Sequence, residues 1–346
     1  MNKLRSTACV AFTLLVTIFC LPLTSQAQIV LDFTGDAFFA NNPLAQAAAQ
    51  AAAAEINSAV HFSNLDVISN DVTTGTDGGV TVNFDFTTEI TNPANGLNVT
   101  VPNTQTNGGQ INVVTGARTL APTTLGVGGP SGAGLSAGGS VAPGAVGTVA
   151  GAIANAEANE QHSRGAGPVI NTVSGVFAGG AFSFDQGIRA GSVAFNDTAS
   201  WHFDHTTAVA AGTSDFFSVA LHELLHVLGV GTSDTWTSLV SGTNYLGADG
   251  IATNGGSGTG LIFSDGEHLA QNVTSSRISD GLTQIAVLDP ILAQGTRRNL
   301  TDLDLALIRD LGFKTVSASA IPEPSSLALL ALVGGAACCR RRKLAL

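Results

Sequence analysis

The sequence predicts an α+β fold in which short strands precede one nearly apolar helix and a short final helix. Alternating apolar and polar residues, as at positions 81–86, are typical of half-buried strands. Residues 216–228 are almost entirely apolar over a helical length, and Ser214 or Asp215 can cap that run. Thr301 can cap a last helix that Gly312 ends. Strands followed by segregated helices indicate an α+β domain.

The remaining elements follow in chain order. Residues 29–33 predict a first strand, and residues 42–60 predict an Ala-rich helix with Pro43 in its first turn. Residues 126–151 hold ten glycines in 26 positions and predict a Gly-rich mobile loop or an insertion, and residues 233–260 predict another loop. The other predictions are strands at 67–68, 80–90, 97–101, 169–176, 181–184 and 192–195, and helices at 145–159 and 302–311.

The first 27 residues predict a secretory signal peptide. Lys3 and Arg5 give a positive start, an apolar core follows, and residues 25–27 form a small-x-small cleavage site. Signal peptidase would therefore release a body that starts at Gln28. A retained membrane anchor is the alternative, although the apolar core is short for one.

The C-terminal end predicts a second targeting segment, at residues 317–346. Pro322-Glu323-Pro324 leads into apolar residues 327–339, which can cross or nearly cross a bilayer, and a basic cluster at 340–343 would stay in the cytoplasm. This tail resembles the PEP-CTERM sorting signal of Gram-negative bacteria. The resemblance implies an exosortase-type membrane enzyme that cuts near Pro-Glu-Pro, with the body outside the cell, at its surface or outer membrane. An ordinary C-terminal membrane anchor is the alternative.

Composition excludes several classes of function for the body, residues 28–316. All four cysteines lie in the two ends, so disulfides and thiolate chemistry are excluded and metal ligands must be His, Asp or Glu. Six of the 14 Lys and Arg residues also lie in the ends, so the body is more acidic than the formal charge of −11 of the whole chain. This charge argues against nucleic acid or anionic lipid as a partner, and it suits calcium (Ca2+) bound in Asp-rich loops.

Residues 222–229 read His-Glu-Leu-Leu-His-Val-Leu-Gly and carry the strongest functional signal. Two imidazoles four residues apart lie on one face of a helix and can bind one zinc ion (Zn2+). Glu223, beside the first His, can take a proton from a water that the metal activates. His222, Glu223 and His226 are therefore the first candidates for the site. The alternative is two hydrogen-bonded core histidines and an unrelated glutamate.

A catalytic zinc site needs a third protein ligand. The short metzincin form H-E-x-x-H-x-x-G-x-x-H is broken here, because Gly229 is in place but Thr232 stands where the third His would be. Downstream the chain offers His268 in Gly266-Glu267-His268, and the carboxylates of Glu267, Asp265 and Asp249 remain as alternatives.

The order of these segments resembles the leishmanolysin-like metzincins. The motif continues as Leu-Gly-Val-Gly-Thr with Trp236 nearby, an insertion follows, and the last helix ends in Asp310-Leu311-Gly312-Phe313. The resemblance covers about a third of the chain and implies a metzincin-like catalytic domain with a mixed twisted sheet and His268 as third zinc ligand. Leu269 departs from the usual Trp. Leu288 stands where the methionine beneath the zinc is expected, at modest cost because both side chains are apolar.

Two functions are predicted from this pattern. The first is a zinc endopeptidase in which an extended peptide substrate lies along a sheet edge formed by residues 192–195, with Glu223 as the base. The second is a non-catalytic matrix or biofilm protein on the same scaffold. His202 and His205 predict either a second metal site, a cleft lining or a structural pair, and His61 and His162 are given no role.

Overall fold

The computed structural model describes residues 28–34, 36–68, 72–101, 106–160 and 164–316; both predicted targeting segments lie outside these ranges. The helices of the described residues are α1 Ala37–Asn41, α2 Pro43–Ala59, α3 Val149–Ala158, α4 Phe216–Val227, α5 Asp234–Ser238, α6 Ala248–Thr253 and α7 Asp302–Asp310. The longer strands and the short β2 are β1 Gln28–Asp32, β2 Val60–His61, β3 Val72–Asp77, β4 Val80–Thr91, β5 Asn98–Val101, β6 Gln110–Arg118, β7 Gly126–Pro130, β8 Gly132–Val141, β9 Asn171–Phe177, β10 Gly180–Gln186 and β11 Ala190–Asn196.

Short strands complete the described chain. They form two-stranded pairs at the periphery, with β18 joining β2 and each other strand joining the next one along the chain. Their bounds are β12 Trp201–His202, β13 Ser214–Asp215, β14 Val240–Ser241, β15 Asn244–Tyr245, β16 Thr274–Ser276, β17 Thr283–Ile285 and β18 Lys314–Thr315.

A mixed four-stranded sheet, which we call the main sheet, supports one side of the molecule. Its order is β1-β6-β11-β7; β1 and β11 run parallel to β6, and β7 runs antiparallel to β11. Helix α2 packs against α4 and β1 through small residues spaced three and four apart, among them Ala45, Ala48, Ala49 and Ala52. Because alanine side chains are short, the two helices approach closely and α4 is buried on nearly every side.

A second sheet has its own apolar core, which we call the second core. Strand β4 pairs antiparallel with β3 and β5 on one side and with β8 on the other. Helix α3 and the β9–β10 hairpin cover one face of it. The buried residues shared by these elements are Val80, Val82, Phe84, Phe86, Ala152, Ile153, Ala156 and Phe184.

One continuous segment connects the two sheets. Strand β7 ends at Pro130 in the main sheet, and β8 starts at Gly132 in the second, so Ser131 alone separates them. The prediction of a Gly-rich loop at 126–151 is therefore wrong. Glycine carries no side chain to show the period-two pattern, whereas the main-chain groups of this segment pair with β11 and β4 all the same.

Two further predictions are corrected by the structure. Residues 192–195 do not form a sheet edge, because β11 lies between β6 and β7; the edge beside α4 is β7. Residues 233–260 are not a plain loop, because they form α5, β14, β15 and α6. The last helix lies where Thr301 and Gly312 predict it, at Asp302–Asp310.

Among the helices of the described residues, none combines the length and the apolar character that a bilayer span requires. The predicted apolar segment at 327–339 lies outside those residues.

Candidate metal centre

Helix α4 carries two of the three candidate histidines. Its N-terminus is capped by Asp215, whose Oδ2 accepts from the Ser218 amide at 3.1 Å and from the Ser218 hydroxyl at 2.6 Å. The same carboxylate is fully buried and pairs with Arg297, whose Nη2 lies 2.6 Å from Oδ1. Because this cap and ion pair set where the helix begins, they also set the positions of His222 and His226 along the helix axis.

Two glycines after α4 make room for a returning segment. Gly229 has a φ of +97° and Gly231 has a φ of +76°, and residues other than glycine rarely adopt such positive values. A Cβ at Gly231 would lie 2.5 Å from the Glu267 carbonyl oxygen, so the approach of residues 266–268 requires glycine here. Thr232, at the position of the usual third His, points its hydroxyl at the His226 carbonyl oxygen, 2.7 Å away.

His268 reaches the site on this returning segment. Trp236 donates from Nε1 to the Gly266 carbonyl oxygen at 2.8 Å and anchors the segment. Asp265 then orients the imidazole: its Oδ2 lies 2.8 Å from His268 Nδ1, and its Oδ1 accepts from the Glu267 and His268 amides at 2.9 and 3.2 Å. A carboxylate behind a histidine is the usual way to fix the tautomer of a metal ligand.

The three imidazoles converge through their Nε2 atoms. His226 Nε2 lies 3.1 Å from His222 Nε2 and 3.2 Å from His268 Nε2. Each Nδ1 faces an acceptor that cannot donate: the Val287 carbonyl oxygen for His222, the Val230 carbonyl oxygen for His226, and Asp265 for His268. Each Nδ1 is therefore the donor in its contact, which leaves Nε2 of each ring as the atom available to a metal.

That arrangement is unfavourable unless a cation lies between the nitrogens. Two ligands of a tetrahedral zinc ion at about 2.05 Å are about 3.3 Å apart, which is close to the spacing observed here. Among the described residues, the side chains that could hold a metal ion together are these three histidines, with ligand atoms within 4.8 Å of one another. The donor set therefore fits a divalent metal of zinc type.

Burial keeps the helix histidines neutral. Desolvation, followed by the neighbouring imidazoles, lowers the pKa of His222 well below its ordinary value, and burial lowers the pKa of His226 to about 4. Both imidazoles are thus ready to bind a metal at neutral pH without first losing a proton.

The turn beneath the histidines is held by α7. Asp304 is buried and belongs to the capping box of this helix with Thr301. The Asp304 carboxylate also accepts from the amides of Val287 and Leu288, at 3.2 and 3.4 Å. Because the Val287 carbonyl oxygen is the partner of His222, the capping box connects to the metal centre through one peptide unit. Leu288 is fully buried, where apolar filling was expected.

Glu223 lies against strand β7. Its side chain is 6 % exposed, and burial raises its pKa to about 8, although the Gly128 amide donates to the carboxylate and opposes the rise. A Cβ at Gly126 would lie 2.6 Å from Glu223 Oε1, so the strand passes within contact distance of the carboxylate.

A cleft of about 600 Å³ exposes the site. Residues 123–128 and the segment 287–292 both line it. His222, Glu223, His226 and His268 all line it. Arg298 braces the second segment: it donates to the carbonyl oxygens of Ala286 and Ile291, at 3.3 and 2.6 Å.

The remaining candidates lie away from a metal centre. Asp249 pairs with Arg309 at 3.4 Å, and Glu267 is exposed at the rim of the cleft. His202 Nε2 contacts the Asp204 carbonyl oxygen at 2.9 Å, and the His205 ring stacks on Phe217. Within the described residues neither histidine joins a metal-capable group, and no acidic cluster suited to calcium forms one either.

Comparison with known proteins identifies the tail. A PEP-CTERM protein-sorting motif matches residues 320–343. The chain therefore carries a signal for export and surface sorting in Gram-negative bacteria, with processing by an exosortase-type enzyme. No curated protein and no solved structure matches the chain.

Sequence reasoning missed the roles of four residues at the site. Gly126 and Gly128 lay in a stretch interpreted as a loop, and no local pattern marks them. Asp265 is predicted as an alternative metal ligand, whereas its carboxylate faces His268 Nδ1 and orients that ring. Asp304 could have been found in part, because Thr301-x-x-Asp304 is a capping box; its second contact, to residues 287–288, depends on tertiary structure.

Proposed function

We propose that this surface-sorted protein is a zinc-dependent endopeptidase with a metzincin-like catalytic domain similar to the leishmanolysins. One observation carries the proposal: the Nε2 atoms of three histidines converge in an open cleft that the buried Glu223 also lines. Zinc is favoured because the ligands are all imidazoles and residues 28–316 contain no cysteine.

An open coordination position supports a catalytic role over a structural one. Structural zinc sites have four protein ligands, whereas catalytic sites keep three and leave one position free. Among the described residues the group consists of three histidines. Glu267 and Asp265, the nearby carboxylates, are exposed or bound to His268.

Zinc bound by His222, His226 and His268 would polarise a peptide carbonyl and lower the pKa of a water molecule. The chain supplies the proton transfers. Glu223 takes a proton from the attacking water and later gives it to the leaving amine. Burial raises its pKa to about 8 without a cation, and a cation bound by the neighbouring histidines would lower that pKa and favour the carboxylate form that accepts the proton.

Strand β7 is the edge along which we place the substrate. The Ser131 amide donates to the Ala190 carbonyl oxygen, and the Asn196 amide donates to the Leu125 carbonyl oxygen. Odd-numbered residues of this segment therefore bond to β11, so the main-chain groups of Gly126 and Gly128 turn away from it. An extended peptide can pair with these groups by adding a strand beside α4.

The deciding experiment is casein hydrolysis by the purified protein, with and without a chelator. We expect one zinc per chain, loss of activity on chelation and recovery on adding zinc. Glu223→Gln should retain the zinc and lower kcat by about 10³-fold, within the range for a lost general base. Glu89→Gln, an exposed substitution of the same kind in the second sheet, should leave kcat unchanged.

A non-catalytic surface protein is the second candidate, because the matched motif indicates surface sorting and carries no information on activity. It predicts no hydrolysis, or hydrolysis that Glu223→Gln leaves intact. A protein that binds no zinc at one equivalent would rule out the protease.

A further inference from the structure

We propose that Gly126 is a positioning residue: its lack of a side chain lets the Glu223 carboxylate lie against β7, in the cleft that the three histidines also line. This inference rests on the proposed peptidase function. It concerns a residue that no motif marks, in a segment of the chain whose composition suggests a loop.

The space at Gly126 is taken by the end of the Glu223 side chain. A Cβ built there would lie 2.6 Å from Oε1, 2.8 Å from Cγ and 2.9 Å from Cδ, and side chains essentially never approach so closely. The backbone of Gly126 does not lie in the left-handed region, so alanine is allowed by conformation. An alanine would therefore act through contact with Glu223 and not through backbone strain.

Two neighbouring glycines, Gly128 and Gly129, serve to distinguish contact with the Glu223 carboxylate from a general effect of adding a side chain to β7. A Cβ at Gly128 would lie 2.4 Å from the main-chain oxygen of Glu223, so it would press on helix α4 itself. At Gly129 nothing lies within 4 Å. One strand thus contains a glycine against the carboxylate, one against the helix backbone, and one in open space.

The position of the carboxylate matters because a base must lie within hydrogen-bond reach of the proton it takes. Gly126 leaves the space on the strand side of the carboxylate open, and Gly128 of the same strand lies against the main chain of Glu223. Since Glu223 is buried, it has little room to find another rotamer if the strand side is filled.

The first test is a double-mutant cycle on the melting temperature of the metal-free protein. Gly126→Ala should lower Tm by about 3 °C, the scale of modest overpacking in a chain of this size. In a Glu223→Ala background the same substitution should lower Tm by less than about 1 °C, because the crowded atoms are gone. Gly128→Ala should lower Tm in both backgrounds, whereas Gly129→Ala should leave Tm unchanged in both. If Gly126→Ala lowers Tm equally in both backgrounds, the alanine does not act through contact with the Glu223 side chain.

The second test is peptide hydrolysis by the zinc-loaded variants. Gly126→Ala should keep one zinc per chain and a KM within about twofold, and lower kcat by about 10- to 100-fold, as expected when a reacting group is displaced by about 1 Å. Gly138→Ala, in β8 with nothing within 4 Å, is the activity control. An unchanged kcat overturns the positioning role even if the Tm cycle shows the contact. If the wild type hydrolyses no peptide, the proposed function fails and the inference fails with it.

Discussion

The core around α4 and the second core differ in what they bury. The second core holds aliphatic and aromatic side chains, such as Phe84 against Phe184 with ring centroids 4.8 Å apart. The core around α4 buries Asp215, Glu223, His226 and Asp304 among its leucines. Because buried charged groups are costly unless partnered, their concentration on one side of the molecule indicates where function lies. The second core serves packing.

The largest expected difference between the two cores is in pH dependence without metal. In the unfolded chain Glu223 ionises near its ordinary pKa of 4.5, whereas in the folded metal-free protein its pKa is about 8. Its contribution to stability is therefore complete below pH 4.5 and is lost as pH rises through 8, by about 5 kcal/mol at roughly 1.4 kcal/mol per pKa unit.

Glu223→Gln cannot ionise, so the metal-free variant should gain stability over wild type between pH 5 and pH 8. Urea unfolding of both proteins across this range measures the difference. Amide exchange in β4 should show no matching trend. If the free energy of unfolding changes with pH in the same way for both proteins, the raised pKa does not belong to Glu223.

The next prediction tests whether the second core can be destabilised without changing zinc binding at the candidate metal centre. Phe84→Ala removes a fully buried ring and should cost about 3 kcal/mol. We expect faster amide exchange in β3, β4 and β8, with zinc affinity within about twofold of wild type. Phe195→Ala is the matched variant in the core around α4, since that ring lies 4.3 Å from Phe216. It should weaken zinc binding, and equal zinc affinities for the two variants would remove the distinction between the cores.

The smallest effect concerns the orientation of the third histidine. Asp265→Asn keeps the size of the side chain but loses the charge that faces His268 Nδ1 at 2.8 Å. Zinc affinity should fall by about 10- to 100-fold, the usual cost of losing such a partner. Competition with a chromophoric chelator measures this. Asp280→Asn, an exposed carboxylate paired with Arg277, is the control. If the two variants bind zinc equally, Asp265 does not support the site.

The sequence predicts the local features around α4 better than the long-range ones. His222, Glu223 and His226 share one helix face, so local spacing places them correctly relative to one another. The final helix is marked by Thr301 and Gly312 at its ends. The placement of His268 is a long-range matter: 42 residues separate it from His226, and only the family resemblance indicated it. Its role as a ligand stays a prediction.

The ribbon of β7 and β8 shows why the rest could not be predicted. Strand prediction depends on alternating side chains, and Gly132, Gly134, Gly138 and Gly139 offer none. What makes this segment extended is the long partner strand β4, whose own residues 81–86 alternate clearly. The edge beside α4 was misplaced for the same reason, because β7 was not recognised and β11 became the last strand before the helix.

The distance along the chain between His226 and His268 also bears on when the site can form. The sorting motif shows that the protein is exported, and the two α4 histidines are a local pair, whereas the third arrives with a segment that Trp236 and α7 must first hold. Long-range contacts of this kind close late in folding. If the three histidines hold the proposed zinc, a nearly complete domain outside the cytoplasm would capture the ion, and the supply of zinc in that compartment would set how many molecules carry it.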